Sequence, residues 1–117
     1  MKKIPNNLIK NYKNKIINVH PSLLPKYGGK GFYGMNVHQQ VFKNKDKKTG
    51  ATIHFVDSEF DKGPIILQKE LDVRDNESAE SISKRVLNIE YELYLKVLNL
   101  YFNNKIRIIN NKVIVNE

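Results

Sequence analysis

Lys15-Ile16-Ile17-Asn18-Val19-His20-Pro21-Ser22-Leu23-Leu24-Pro25 is an apolar, β-branched run that closes on two polar residues and two prolines. This composition predicts a short, largely buried strand over residues 15–20, ended by Pro21 and Pro25. Side chains alternate along a strand, so Asn18 and His20 are expected to project to the same side. His20 precedes a proline, which favours extended backbone and fixes its direction. The carboxyl end of a strand in an α/β sheet is a common place for ligand chemistry. A hydrogen-bonded polar pair finishing the strand is the plain alternative.

Working outward, residues 5–13 suit a short amphipathic helix, with Pro5 in its first turn and Leu8, Ile9 and Tyr12 on one side. Gly28 to Gly34 reads as a glycine-rich loop, Asn36 to Asn44 as a helix, and Lys47 to Gly50 as a turn. Ala51 to Val56 is strand-like. A loop from Asp57 to Gly63 leads into a third strand, Pro64 to Val73. Asp75, Glu77 and Glu80 crowd a helix start, where carboxylates suit the helix dipole. Ile82, Val86, Ile89, Leu93, Val97 and Leu100 then recur at spacings of three and four, so this helix is expected to run to about Phe102. A hairpin closes the chain, Ile106–Ile109 and Val113–Val115 about a turn at Asn110-Asn111. The order of elements places the chain in the α/β class.

The sequence has 117 residues, 20 Lys plus Arg against 12 Asp plus Glu, and no cysteine. Thiolate nucleophiles, disulfides and cysteine-based zinc sites are thereby excluded. No apolar run approaches the roughly 18 residues of a membrane span, and the basic start, Met1 to Asn7, is followed by no apolar core of a secretory signal. A cytoplasmic domain with no membrane partner is expected. The net charge of +8 is almost all lysine, the arginines being Arg74, Arg85 and Arg107. The densest cluster, Lys43 to Lys48, has no aromatic for base stacking and reads as a solvated loop. Nucleic acid is therefore not an expected partner.

Asp61 lies in an acid-rich loop between two apolar strands. Brought beside an imidazole, its carboxylate would favour imidazolium. Asn18, His20 and Asp61 together make a candidate site for acyl-group chemistry without a covalent enzyme nucleophile. Glu90 is a second candidate, because Val86, Leu87, Leu93 and Tyr94, its helical neighbours, are not basic. Glu92, by contrast, has Lys96 at i+4. Gly29-Lys30-Gly31-Phe32-Tyr33-Gly34 matches the dinucleotide pattern, yet it follows a turn rather than a strand and no helix is expected to open on its last glycine. His54 reads as a core histidine or a pocket residue, and His38, beside two glutamines, as a surface residue.

Asn18 to Tyr27, Gly50 to Val56 and Phe60 to Gln68 closely resemble, in the same order, motifs of phosphoribosylglycinamide formyltransferase. The resemblance implies the C-terminal part of a Rossmann-like formyltransferase fold, a mixed sheet with flanking helices and a C-terminal β-hairpin. It implies formyl transfer from 10-formyltetrahydrofolate to the amine of glycinamide ribonucleotide in purine biosynthesis, with no metal. By resemblance His20 is the catalytic acid, Asn18 the assisting amide and Asp61 the tuning carboxylate. Met1, Lys2, Lys3, Ile4, Asn18 and Asp57 correspond to folate-binding positions, and Val19, Pro21 and Glu90 to ribonucleotide-binding positions.

The match begins inside the family pattern. Residues 1–117 are thus expected to form a catalytic portion lacking the N-terminal, phosphate-binding part, supplied by a separate polypeptide or by a longer form of the protein. An inactive truncated remnant and a basic interaction module are the alternatives to an enzyme. Methionyl-tRNA formyltransferase and formyltetrahydrofolate deformylase are the competing activities, but Pro21 and the run Gly63-Pro64-Ile65-Ile66-Leu67-Gln68 look more like the glycinamide ribonucleotide branch.

Overall fold

Eight residues of one strand, Lys48–Phe55, organise the chain, because they are buried on both faces from Thr49 onward. A computed structural model describes residues 17–29, 31–56, 63–109 and 112–115. The elements are β1 (Ile17–His20), α1 (Met35–Lys43), β2 (Lys48–Phe55), β3 (Ile65–Asp72), α2 (Ala79–Phe102), β4 (Ile106–Ile109) and β5 (Lys112–Val115). The helix expected at 5–13, the Asn110-Asn111 turn, and most of the 57–63 loop lie outside the described residues.

The sheet order is β1-β2-β3, antiparallel at both junctions, with β4 and β5 forming a separate hairpin. The α/β class stands. Strand alternation divides β2 in two. Ala51, Ile53 and Phe55 face the helices and share one cluster with Val37, Val41, Ile82, Val86, Ile89, Leu93 and Val97. Each of these Val, Ile, Leu and Phe side chains, fully buried, contributes about 1.5–3 kcal/mol. Gly50 and Thr52 instead lie under the loop that follows β1, since Leu23 packs on Gly50 and Leu24 bonds Thr52.

The turn expected at Lys47–Gly50 is not one. β2 begins at Lys48, and Lys48, Thr49 and Gly50 pair with Asp72, Leu71 and Glu70. Glycine reads as a turn residue, but Gly50 is here because the carbonyl of Lys69 and the side chain of Leu23 occupy the space of a Cβ.

Both helices end on the same hydrogen-bond pattern. After α1, Asp46 N–H reaches Val41 O and Lys45 N–H reaches Phe42 O; after α2, Lys105 N–H reaches Leu100 O and Asn104 N–H reaches Tyr101 O. Lys45 and Asn104 take positive φ, 53° each, where glycine is the usual occupant of this cap.

The start of α2 is held by Ser78, which caps Ser81 N–H, and by Glu77. Glu77 accepts from Arg74 N–H, from the Ser81 hydroxyl and from Arg85, the last at 2.6 Å. Burial alone would raise this carboxyl, but the bonds from Ser81, Arg74 and Arg85 outweigh it and hold it below its ordinary 4.5. A depressed folded value means stability present above 4.5 and lost as pH falls through the folded value. Glu77→Gln is expected to cost about 2 kcal/mol near neutral pH and to flatten the acid limb of stability. Urea denaturation at pH 7 and pH 3.5 checks this; equal losses at both pH values would contradict it.

Candidate active site

Asn18 and His20 lie two apart on β1 and so share one face, and their cross-strand partners on β2 are His54 and Thr52. Asn18 Nδ2 approaches His54 Nε2 at 3.4 Å, while His54 Nδ1 bonds Phe55 O at 2.9 Å. That carbonyl only accepts, so Nδ1 carries the proton and Nε2 is the acceptor. His54, 2% exposed, is thereby a bonded core histidine that holds Asn18 in place.

His20 is fully buried at the strand's carboxyl end. Its Nε2 lies 2.6 Å from Tyr27 O and donates to it, which fixes the orientation of the ring. The loop that supplies this carbonyl is fastened at several points. Thr52 Oγ1 donates to Ser22 O at 2.7 Å and accepts from Leu24 N–H at 3.1 Å and Gln68 Nε2 at 2.9 Å. Gln68 also donates to Leu24 O, and Ser22 Oγ to Lys26 O. Tyr27 donates to Asp46 at 2.7 Å and accepts from Asn44. Thr52 therefore has every bonding site of its hydroxyl in use, and it fixes the loop that orients His20.

The lysines at 43, 45, 47 and 48 are exposed, as a solvated segment requires. Asp46 within it has a structural task as well, bonding Tyr27 and pairing with Lys26 at 3.2 Å.

Beside β1 opens a groove of about 440 Å³ lined by Val19, Pro21, Tyr33, Gly34, Met35, His38, Ser83, Leu87 and Glu90. It unites Val19, Pro21 and Glu90 from two distant parts of the sequence. Glu90 is half-buried and makes no hydrogen bond or ion pair among the described residues, and burial raises its carboxyl above the ordinary value. Glu92, read as the partner of Lys96, receives Lys69 of β3 at 2.9 Å on both oxygens.

Two expectations need correction. Gly34 is the residue on which α1 opens, so a helix does begin directly after the glycine-rich loop. What precedes that loop is still the fastened turn of residues 21–28 and not a strand. His38 is not on the surface: it is 3% exposed, and its Nδ1 is buried without a hydrogen-bond partner among the described residues. The signal was present in the spacing, since His38 sits between Val37 and Val41 on the inward stripe of α1. Burial, and then the charge of His20, lower its pKa, which keeps the imidazole neutral. Met1, Lys2, Lys3, Ile4, Asp57 and Asp61 lie outside the described residues.

The fold, with a polar pair closing β1 beside an acid-bearing groove, defines a class. A model of the formyl transferase family matches residues 1–98, and the chain belongs to that family. Among its relatives, the phosphoribosylglycinamide formyltransferase of Vigna unguiculata, named chloroplastic, is 47% identical over 98 residues, which are 84% of this chain and 31% of that protein. The Escherichia coli protein of the same name is 34% identical over 103 residues, covering 88% of this chain and 46% of the relative. The chain thus spans about a third to a half of the length of these relatives. The crystal structure of phosphoribosylglycinamide formyltransferase from Anaplasma phagocytophilum superposes with a TM-score of 0.91 at 35% identity, covering 100% of this chain and 55% of that one. A formyltetrahydrofolate deformylase from Pseudomonas syringae superposes with 0.89 at 28% identity, over 100% of this chain and 38% of its own. Among the described residues no helix is long and apolar enough to cross a membrane.

Proposed function

We propose that this chain carries the chemical residues for transfer of a formyl group from 10-formyltetrahydrofolate to the amine of glycinamide ribonucleotide, a step of purine synthesis, in the cytoplasm. The observation that supports it best is the placement of Asn18 and His20 at the end of β1, directly beside the groove that joins Val19, Pro21 and Glu90. Family membership and the names of the relatives point the same way.

The amine attacks the formyl carbon, and the carbonyl oxygen becomes an oxyanion. Asn18 Nδ2 and protonated His20 supply the hydrogen bonds that such a charge needs in a dry site. Collapse breaks the bond to the folate nitrogen, which takes up a proton as tetrahydrofolate leaves, while the attacking nitrogen gives one up. Asp61 is the carboxylate assigned to favour the charged form of His20 and to help that proton move through water. Met1 to Ile4, Asn18 and Asp57 are assigned to the folate, and Val19, Pro21 and Glu90 to the ribonucleotide. The phosphate-binding part is assigned to the remainder of the family fold, in the same protein or on a separate polypeptide.

Hydrolysis of formyltetrahydrofolate is the second reading, favoured by the close superposition of the deformylase. One assay separates the two. The chain, alone and with the amino-terminal part of a relative added, is incubated with 10-formyltetrahydrofolate, with and without glycinamide ribonucleotide. Formylated ribonucleotide formed only when the amine is present is the expected result. Formate released at the same rate without the amine would establish hydrolysis instead, and no reaction in any mixture would overturn both readings.

A further inference from the structure

We propose that His38 is a contact residue for the acceptor substrate, its buried imidazole completing its hydrogen bonding on a polar group of the molecule that Glu90 also holds. This rests on the reading of the groove as the acceptor site. Three observations carry it. His38 is 3% exposed and lines the groove, yet its Nδ1 has no hydrogen-bond partner among the described residues. Buried polar atoms are nearly always bonded, and one left unmade is costly to the fold. Nδ1 itself is closed off, so the ring meets a ligand in the groove through Nε2, which is not enclosed and has no hydrogen-bond partner among the described residues.

Glu90, in the same groove, lacks a partner among the described residues too. A carboxylate accepts hydrogen bonds, so it selects donors such as hydroxyl or amine groups. A neutral imidazole adds one donor and one acceptor, and burial with the nearby charge of His20 keeps His38 in that form. Val19, Pro21, Met35 and Leu87 form apolar walls, and no lysine or arginine lines the groove among the described residues. A phosphate therefore has no counter-charge here and would face Glu90. The groove suits the uncharged polar part of the acceptor, its hydroxyls, amide and amine, with the phosphate directed elsewhere.

The test is a titration of the ¹⁵N-labelled chain with glycinamide ribonucleotide, followed on the imidazole nitrogens of His38 and the backbone signals of Val19, Leu87 and Glu90. The expected result is a shift of the His38 ring nitrogens that saturates together with the groove signals. His38→Leu is expected to weaken binding about tenfold or more. His38→Gln, which can place an amide group near the position of Nε2, is expected to retain most of the affinity. Groove signals that move while the His38 ring does not, with His38→Leu binding like wild type, would overturn the role of His38 and leave the groove assignment standing. Groove signals that do not move at all would overturn both. The ring signal is read on the unaltered protein, so a poorly folded variant does not obscure the answer.

Discussion

His20→Ala is expected to slow formyl transfer by about a thousandfold or more. General acids and oxyanion donors each contribute on the order of 10²–10⁴ and 10²–10³ in rate, and His20 is assigned to both tasks. The geometry makes the substitution specific. His20 ends β1 with Nε2 committed to Tyr27 O, so alanine removes a ring that is anchored in one orientation. Binding of the acceptor should change little, because the groove assigned to it is lined by Val19, Pro21, His38 and Glu90 and not by His20. The check is turnover of His20→Ala under whichever conditions give turnover of the unaltered chain, with acceptor affinity measured alongside. A rate near wild type would remove His20 from the mechanism. Loss of rate together with loss of native NMR dispersion would show that the ring is needed for the fold, since Tyr27 O would then be left without its donor.

Gly50→Ala should produce the largest loss of stability, about 3 kcal/mol or more. The new methyl group would run into Lys69 O, a main-chain atom of β3, and would lie 2.8 Å from Leu23 Cδ2. A side chain can turn aside; a carbonyl in a ladder cannot move without parting Gly50 from Glu70 and Ala51 from Lys69. Because Leu23 belongs to the loop that orients His20, the damage would reach the site as well as the sheet. For a domain of this size the melting temperature should fall by more than about 10 °C. A loss below about 1 kcal/mol in urea denaturation would show that the two strands separate more easily than their pairing indicates.

Much of this could be read from residues alone. The three-and-four spacing from Ile82 to Leu100 marks the buried stripe of α2 and its end at Phe102, because a helix has few other ways to hide that pattern. The strand ending in Asn18 and His20, and the odd carboxylate at Glu90, were also legible. Gly50 was misread because a local propensity for turns cannot register how near another strand will pass. His38 was misread because its glutamine neighbours are polar, while the inward stripe of α1 includes it. The part played by Thr52 could not be seen at all, since its three partners lie 16 to 30 residues away. Short-range patterns are set by the period of each element; long-range hydrogen bonds are settled only when the elements meet.

Ser83, Leu87 and Glu90 fall at i, i+4 and i+7 on α2, each one residue on from Ile82, Val86 and Ile89 and so about 100° around the helix from that stripe. The same helix therefore carries two separate registers of information, one addressed to the core and one to the groove. Substitutions at 83, 87 and 90 are therefore expected to alter the groove while leaving the core stripe of α2 in place. On the proposed reading of the groove, Ser83, Leu87 and Glu90 are the part of the acceptor wall that α2 supplies, beside Val19, Pro21 and His38 from elsewhere in the chain.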